Sequence, residues 1–273
     1  MPYENLTLER RGQVALLTLN RPDRLNALNR ALQDETRAAC AEVEADDGLR
    51  VMIVTGAGRG FCAGADLMSR ADREATGGAL AEPETPPQGD RLDEYGWVGR
   101  QAISFYRMTK PTIAALNGVA AGAGMSMALA CDLRVGSEAT RFKTVFIERS
   151  LSPDSGMSYF LTRILGYARA ADLVFTSRDV SGEEAYRLGL LDRYVEADRL
   201  LEESMALAES IAQWPPMAMR SAKRVLQRNL LQDLEPALRE EYHGLNYARR
   251  APNDVVESRA SFMEKRAPRF TGT

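Results

Sequence analysis

Apolar residues recur every second position at the start of the chain. Leu6 and Leu8, then Val14, Leu16 and Thr18, flank Gly12-Gln13, a pattern that predicts two strands joined by a hairpin turn. Asn20-Arg21-Pro22-Asp23 breaks the run, and the period then changes. Leu28, Leu32, Glu35, Thr36, Ala39 and Val43 return at three and four, which predicts an amphipathic helix stopped by Asp46-Asp47-Gly48. Val51 to Thr55 is a short apolar strand of the kind covered on both faces. The same grammar repeats downstream: a helix over Trp97–Met108, a strand over Thr112–Leu116, a glycine turn and a helix ending at Ala130. A strand near Leu133–Val135 and a helix over Met157–Leu165, closed by Gly166, follow. Strand–helix alternation of this kind predicts an α/β core with largely parallel pairing. After Leu200 the period-two signal stops, and Leu201–Trp214, Met217–Leu231 and Leu234–Arg250 predict successive amphipathic helices. The division is therefore a core over 1–200 and a C-terminal helical region over 201–273. Residues 74–90, with three prolines and three glycines, predict a surface loop.

One segment mimics a membrane span. Residues 111–131 carry no charge, but they are mostly alanine and glycine and begin at Pro111, so a buried strand and helix fit better. Composition narrows the chemistry further. The 273 residues are 45% apolar and 27% charged, and 35 basic against 38 acidic side chains give a net charge of -3. No bulk attraction to nucleic acid or anionic membranes follows, so an anionic ligand needs a local site. Three scattered cysteines (Cys40, Cys62, Cys131) form no CxxC pair and predict a reducing, cytoplasmic setting without disulfides. The single histidine, His243, argues against a His-rich metal site and a Ser-His-Asp mechanism.

Two glycine-rich turns draw attention to the backbone. Gly58-x-Gly60-x-x-Ala63 satisfies a loose dinucleotide-binding pattern, yet the acidic residue expected about twenty positions on falls at Gly77-Gly78, so that reading fails. Ala63, Gly64 and Ala65 instead let a ligand approach the main chain, where free N–H groups stabilise an oxyanion. Asn117 to Gly124 repeats the pattern after a second buried strand. Two such turns provide the pair of donors that an oxyanion hole requires.

The segments RPDRLNAL (21–28), FCAGADL (61–67), KPTIAALNGVAAGAGMSMALACDLRV (110–135) and SPDSG (152–156) resemble the enoyl-CoA hydratase/isomerase, or crotonase, family, and the resemblance runs to EKRAPRFTG at 264–272. It implies an α/β ClpP-like spiral of repeated ββα units with a C-terminal helical region, assembled as a homotrimer or as a hexamer of two trimers. It implies an acyl-CoA thioester as ligand, with coenzyme A entering only as part of the substrate and with no metal or other cofactor. The oxyanion donors it implies are the N–H groups of Ala65 and Ala123. The coenzyme A moiety is expected along Arg24, Leu25, Ala63, Asp66 and Leu67, with Phe262 and Lys265 near its nucleotide end.

Departures from the family pattern bear on the reaction. Hydratases of the family carry two glutamates that handle water, and here those positions hold Ser126 and Phe146, which line the acyl pocket and offer no carboxylate base. Glu148 reaches the second position only by a slip in register. Asp154 matches the aspartate of the family's isomerases, and one carboxylate suffices to move a proton across an allylic system. The same residue type caps helices, and Asp154 stands just before the helix at Met157. The dehalogenases of the family also use that aspartate, but with a histidine that residues 94–109 lack. Isomerisation through a thioester enolate is the expected reaction. Enoyl-CoA hydration is the alternative, and a non-catalytic acyl-CoA binder is the alternative of another class. Trp97, Phe105 and Tyr106 are read either as acyl-pocket lining or as core.

Overall fold

A computed structural model describes residues 3–67 and 92–273. The loop expected over 74–90 therefore lies outside the described residues. Strands β1 (Leu6–Arg11) and β2 (Val14–Leu19) form the expected hairpin, with Arg11 opposite Val14 and Gly12 at φ +61 in the turn. Strand β2 runs parallel to β3 (Val51–Gly56), β3 to β5 (Thr112–Leu116), β5 to β7 (Leu133–Gly136) and β7 to β10 (Arg193–Tyr194). A second sheet orders β4 (Gly60–Cys62), β6 (Val119–Ala121), β8 (Arg141–Lys143) and β9 (Val180–Ser181). Each of β3, β5 and β7 lies in the large sheet and is followed by a short partner in the small one. Repeated ββ pairs therefore step from one sheet to the other, and helices close the steps.

The unbroken apolar run of β3 is explained by two cores. Met52 and Val54 face one side, with Ala15, Leu17, Ala114 and Leu116, and meet Leu32, Ala39 and Val43 of α1 (Arg30–Ala45). Val51 and Ile53 face the other side, with Val14, Leu16 and Ile113, beneath Leu207 and Ala208 of α7 (Leu200–Ala212). Strand periodicity survives, but both faces are apolar.

Helix α1 begins at Arg30 because the Asn29 side chain accepts from Leu32 N at 2.8 Å; Leu28 instead pairs as an isolated bridge with Ala65. The uncharged segment resolves into β5, β6 and α3 (Ala123–Ala130), the last buried on every side. No described helix is long and apolar enough to cross a membrane. Helix α2 spans Gly96–Tyr106, α4 Met157–Leu165, α5 Tyr167–Thr176 and α6 Gly182–Leu188. The C-terminal region continues with α8 (Pro216–Asn229), α9 (Leu234–Ala248) and α10 (Pro252–Glu264). Helix α8 is fastened to the core by Lys223, whose Nζ lies 2.6 Å from Asp132 Oδ2 and donates to Lys110 O at 3.0 Å. Lys110 in turn donates to Val43 O and Asp46 O at 2.6 Å each, at the C-terminal end of α1.

Candidate active site

The two glycine turns meet. After β4 the chain runs alongside residues 25–28: Ala63 N donates to Leu25 O at 3.0 Å, Leu28 N to Gly64 O at 2.7 Å and Asp66 N to Leu28 O at 3.1 Å. Successive peptides of an extended segment point opposite ways, so the Ala65 N–H is turned away from Leu28. After β6, Gly122 donates to Lys143 O at 3.0 Å with φ +49, and Ala123 opens α3. A first helical residue has an N–H outside the intrahelical ladder. Among the described residues neither the Ala65 nor the Ala123 N–H has a hydrogen-bond partner.

Glycine at position 64 permits this contact. A Cβ there would stand 2.7 Å from Ala121 O and 3.5 Å from Ala123 N, and its φ of +91 disfavours any side chain. At Gly124 a Cβ would stand 2.1 Å from Cys62 O, so the first turn of α3 lies directly on β4. The small residues in both motifs are thus what brings the two turns together.

Asp154 joins the same place through Ser126. Ser126, fully buried one turn along α3 from Ala123, donates from Oγ to Asp154 O at 3.3 Å. The rise of three helical residues is about 4.5 Å. The Asp154 side chain is half-buried, and its recorded partner among the described residues is the Ser155 hydroxyl, which donates to Oδ1 at 2.9 Å. Burial pushes the carboxyl above the ordinary aspartate range, and the Ser155 hydrogen bond pulls it part of the way back. Asp154 does not cap α4 with its side chain. Gly156, at φ +82, is the N-cap, and Met157 N is taken by the Asp154 carbonyl at 2.8 Å.

Phe146 is 4% exposed and packs in the main core. Glu148 stands in a short 3-10 turn two residues on and is turned outward to Lys143, with Oε1 2.8 Å from Nζ. That hydrogen bond holds its carboxyl below the ordinary glutamate range. Glu148 is therefore committed to an ion pair at the surface. Phe105 is core, Tyr106 hydroxyl meets that of Tyr159 at 3.2 Å, and Trp97 is partly exposed.

Arg24 is exposed, Leu25 adopts φ +48 beside it, and Leu67 is exposed on the far side of the first turn. Ala63 is half-buried. Asp66 pairs with Arg21 at 2.8 Å, so its carboxylate braces the turn. Arg21 was passed over in the sequence, where one arginine among many carries no signal of pairing. Phe262 and Lys265 sit exposed at the end of α10. Gln101 was also passed over; it is 3% exposed within α2. A separate cavity of about 140 Å³ opens between Arg50, Lys110, Trp214, Met217 and Arg220, away from these residues. No group of three or more potential metal ligands occurs among the described residues.

Residues 9–273 match the family model described as "Enoyl-CoA hydratase/isomerase". The Mycobacterium bovis protein named "Probable enoyl-CoA hydratase echA8" is 37% identical over 277 residues, covering 99% of both chains. The Escherichia coli protein named "1,2-epoxyphenylacetyl-CoA isomerase" is 34% identical over 259 residues, covering 95% of both. Among solved structures, an enoyl-CoA hydratase from Bacillus anthracis superposes with a TM-score of 0.87 at 30% identity, over 99% of this chain and 100% of that one.

Proposed function

The chain belongs to the enoyl-CoA hydratase/isomerase family, has the crotonase fold and is an enzyme of acyl-CoA chemistry, and from that premise we propose that it isomerises an enoyl-CoA or related ring acyl-CoA through a thioester enolate. Asp154 is the acid/base. Its carboxylate removes a proton from the α or γ carbon, the electrons move into the thioester carbonyl, and the proton returns at the other end of the allylic system. The N–H groups of Ala65 and Ala123 hold the oxygen while it carries negative charge, and losing one such donor costs ~3 kcal/mol of transition-state stabilisation.

The observation that carries this reading is the position and state of Asp154. It is half-buried, it is free of capping duty, its charge is disfavoured by burial, and Ser126 ties its backbone to the helix that presents Ala123. A carboxylate that is easily reprotonated suits a step in which one group both takes and returns a proton. Phe146 supplies a dry wall, and Ser126 completes the acyl pocket. Arg24, Leu25, Ala63, Asp66 and Leu67 form the proposed path of coenzyme A, with Phe262 and Lys265 at its nucleotide end. Asp66 contributes there through backbone and shape, since its carboxylate is paired with Arg21. The working assembly in this reading is a homotrimer or hexamer.

Hydration is the second reading, and the names of several relatives favour it. It requires a water-activating carboxylate that Ser126 and Phe146 do not supply and that Glu148 gives only by leaving Lys143. Mass spectrometry after incubation with 3-enoyl-CoA and, separately, 2-enoyl-CoA separates the two. The 3-enoyl substrate is expected to convert at unchanged mass, and Asp154→Asn is expected to abolish the conversion. A water adduct of the 2-enoyl substrate that persists in Asp154→Asn would refute the Asp154 mechanism.

A further inference from the structure

Two asparagines converge on one carbonyl. Asn26 donates from Nδ2 to Gly60 O at 2.8 Å and to Ala57 O at 3.0 Å, and its Oδ1 accepts from Arg21 N at 2.8 Å. Asn117 approaches from the other glycine turn. Its Nδ2 donates to Gly58 O at 2.9 Å and to Gly60 O at 3.2 Å, while its Oδ1 accepts from Gly56 N at 3.2 Å. Each side chain thus uses both donors and an acceptor, which among short side chains only an amide offers together. Asn26 is fully buried and takes φ +57, a left-handed conformation that asparagine tolerates.

The two side chains belong to the two halves of the candidate oxyanion hole. Asn26 stands between Leu25, whose carbonyl accepts from Ala63 N, and Leu28, whose N–H donates to Gly64 O. Asn117 and Gly118 link β5 to β6, and β6 leads to Ala123. Gly60 O, at the start of β4, is therefore tied by side chains to both segments. The backbone pairing at this junction is short and irregular. Strands β4 and β6 have three residues each, and Gly60 stands opposite Val119 but Cys62 opposite Ala120, so two steps of one strand match one of the other. An interrupted ladder of that length holds its register weakly. The turns also touch directly, since a Cβ on Gly118 would stand 2.1 Å from Arg59 O and one on Gly56 2.6 Å from Asn26 Nδ2.

We propose that Asn117, together with Asn26, is a positioning residue of the reaction: by clamping the turn over residues 56–60 to both segments, it fixes the separation of the Ala65 and Ala123 N–H groups that hold the thioester oxygen. This rests on the oxyanion hole of the proposed function. The asparagines touch no reacting atom and act through the backbone. Donor placement matters most when the oxygen carries charge, and a misplacement of about 1 Å costs on the order of 100-fold in rate.

The test follows Asn117→Ala, and Asn117→Ser as a milder second variant, by two readouts. In isotope-edited infrared difference spectra of hexanoyl-CoA labelled with carbon-13 at the thioester carbonyl, binding to the wild type is expected to draw the carbonyl band to lower wavenumber. Both variants are expected to lose half or more of that displacement. In steady-state kinetics with the 3-enoyl substrate, kcat is expected to fall ~10–100-fold while KM stays within about twofold, the split that marks an interaction made in the transition state. Lys223→Ala, which loosens α8 and touches neither turn, is expected to lower Tm and leave the band and kcat unchanged. A lower Tm with unchanged band and kcat in the Asn117 variants would make the residue structural and overturn the proposal. So would a rise in KM alone, or an equal loss of band displacement and kcat in Lys223→Ala. An undisplaced band in the wild type would refute the oxyanion hole itself, an outcome distinct from loss in the variants. A displaced band without turnover would refute isomerisation and leave the band to decide the role of Asn117.

Discussion

At Asp154, the proposed acid/base, one side chain would couple catalysis to stability. Burial raises its ionisation above the ordinary aspartate value, so the folded state holds a proton that the unfolded chain has already released. Stability from this group is present at low pH and is lost as pH rises through the folded value. Asp154→Asn is therefore expected to melt higher than the wild type at neutral pH, by a margin that shrinks on acidification, while losing turnover. Paired thermal melts across pH measure this. Activity has the opposite sign, because the base must be ionised: kcat/KM is expected to fall with acidification through a limb above the ordinary aspartate range. Ser155→Ala removes a hydrogen bond to the charged form, and its limb is expected to move to higher pH; a pH–rate profile of the two proteins checks it. Sequence left Asp154 between cap and base because both roles want the same residue at the same place. The structure removes the capping role by giving the N-cap to Gly156. Gln101 was illegible, since a glutamine within a helical stripe reads as surface until its burial is known.

Short elements decide the geometry around that residue. Strands β4 and β6 have three residues each and glycine-rich flanks, so neither shows an alternation a sequence can display, and both read as turns. Their parallel pairing is what sets the Ala65 and Ala123 peptides side by side. The longer elements were legible to within one or two residues, as at α7, α8 and α9, because three or more turns of amphipathic period average out local exceptions. Helix α1 starts at Arg30 rather than at Leu28, because Asn29 caps it and frees Leu28 to pair with Ala65. Gly64→Ala places a side chain in a left-handed conformation, at about 1–2 kcal/mol, and against Ala121 O. Gly124→Ala pushes α3 off β4. Each is expected to lower the urea midpoint, and Gly124→Ala to cut kcat about 100-fold as the donors separate by an ångström or so. Steady-state kinetics with the 3-enoyl substrate measures the latter.

On the scale of the whole molecule, one sheet serves two cores, and polar ties from Arg50, Lys223, Arg220 and Gln227 join the C-terminal region to it. Lys223 and Asp132 form the buried tie at α8, with the lysine side chain 6% exposed, alongside Arg220 on Glu44 and Thr109 and Gln227 on Tyr106 O. Lys223→Ala leaves Asp132 with only its hydrogen bonds from Thr112 and is expected to cost about 2 kcal/mol in urea unfolding. Beyond that tie, Leu226, Leu230, Leu231, Leu234 and Leu238 lie exposed on α8, α9 and the link between them, an apolar surface larger than scattered leucines would make. The homotrimer or hexamer proposed above would cover such a surface. Sedimentation velocity is expected to show the assembly, and Leu231→Glu with Leu234→Glu to lighten it.

The sequence holds four lysines, and two of them, Lys110 and Lys223, are buried with their ammonium groups on carbonyls and Asp132. An amine-directed reagent can reach Lys143 and Lys265 on the closed protein, whereas Lys223 reacts only while α8 is lifted from the core. The ratio of label at Lys223 to label at Lys265, followed over time, would then clock the opening of the C-terminal region without any probe being introduced.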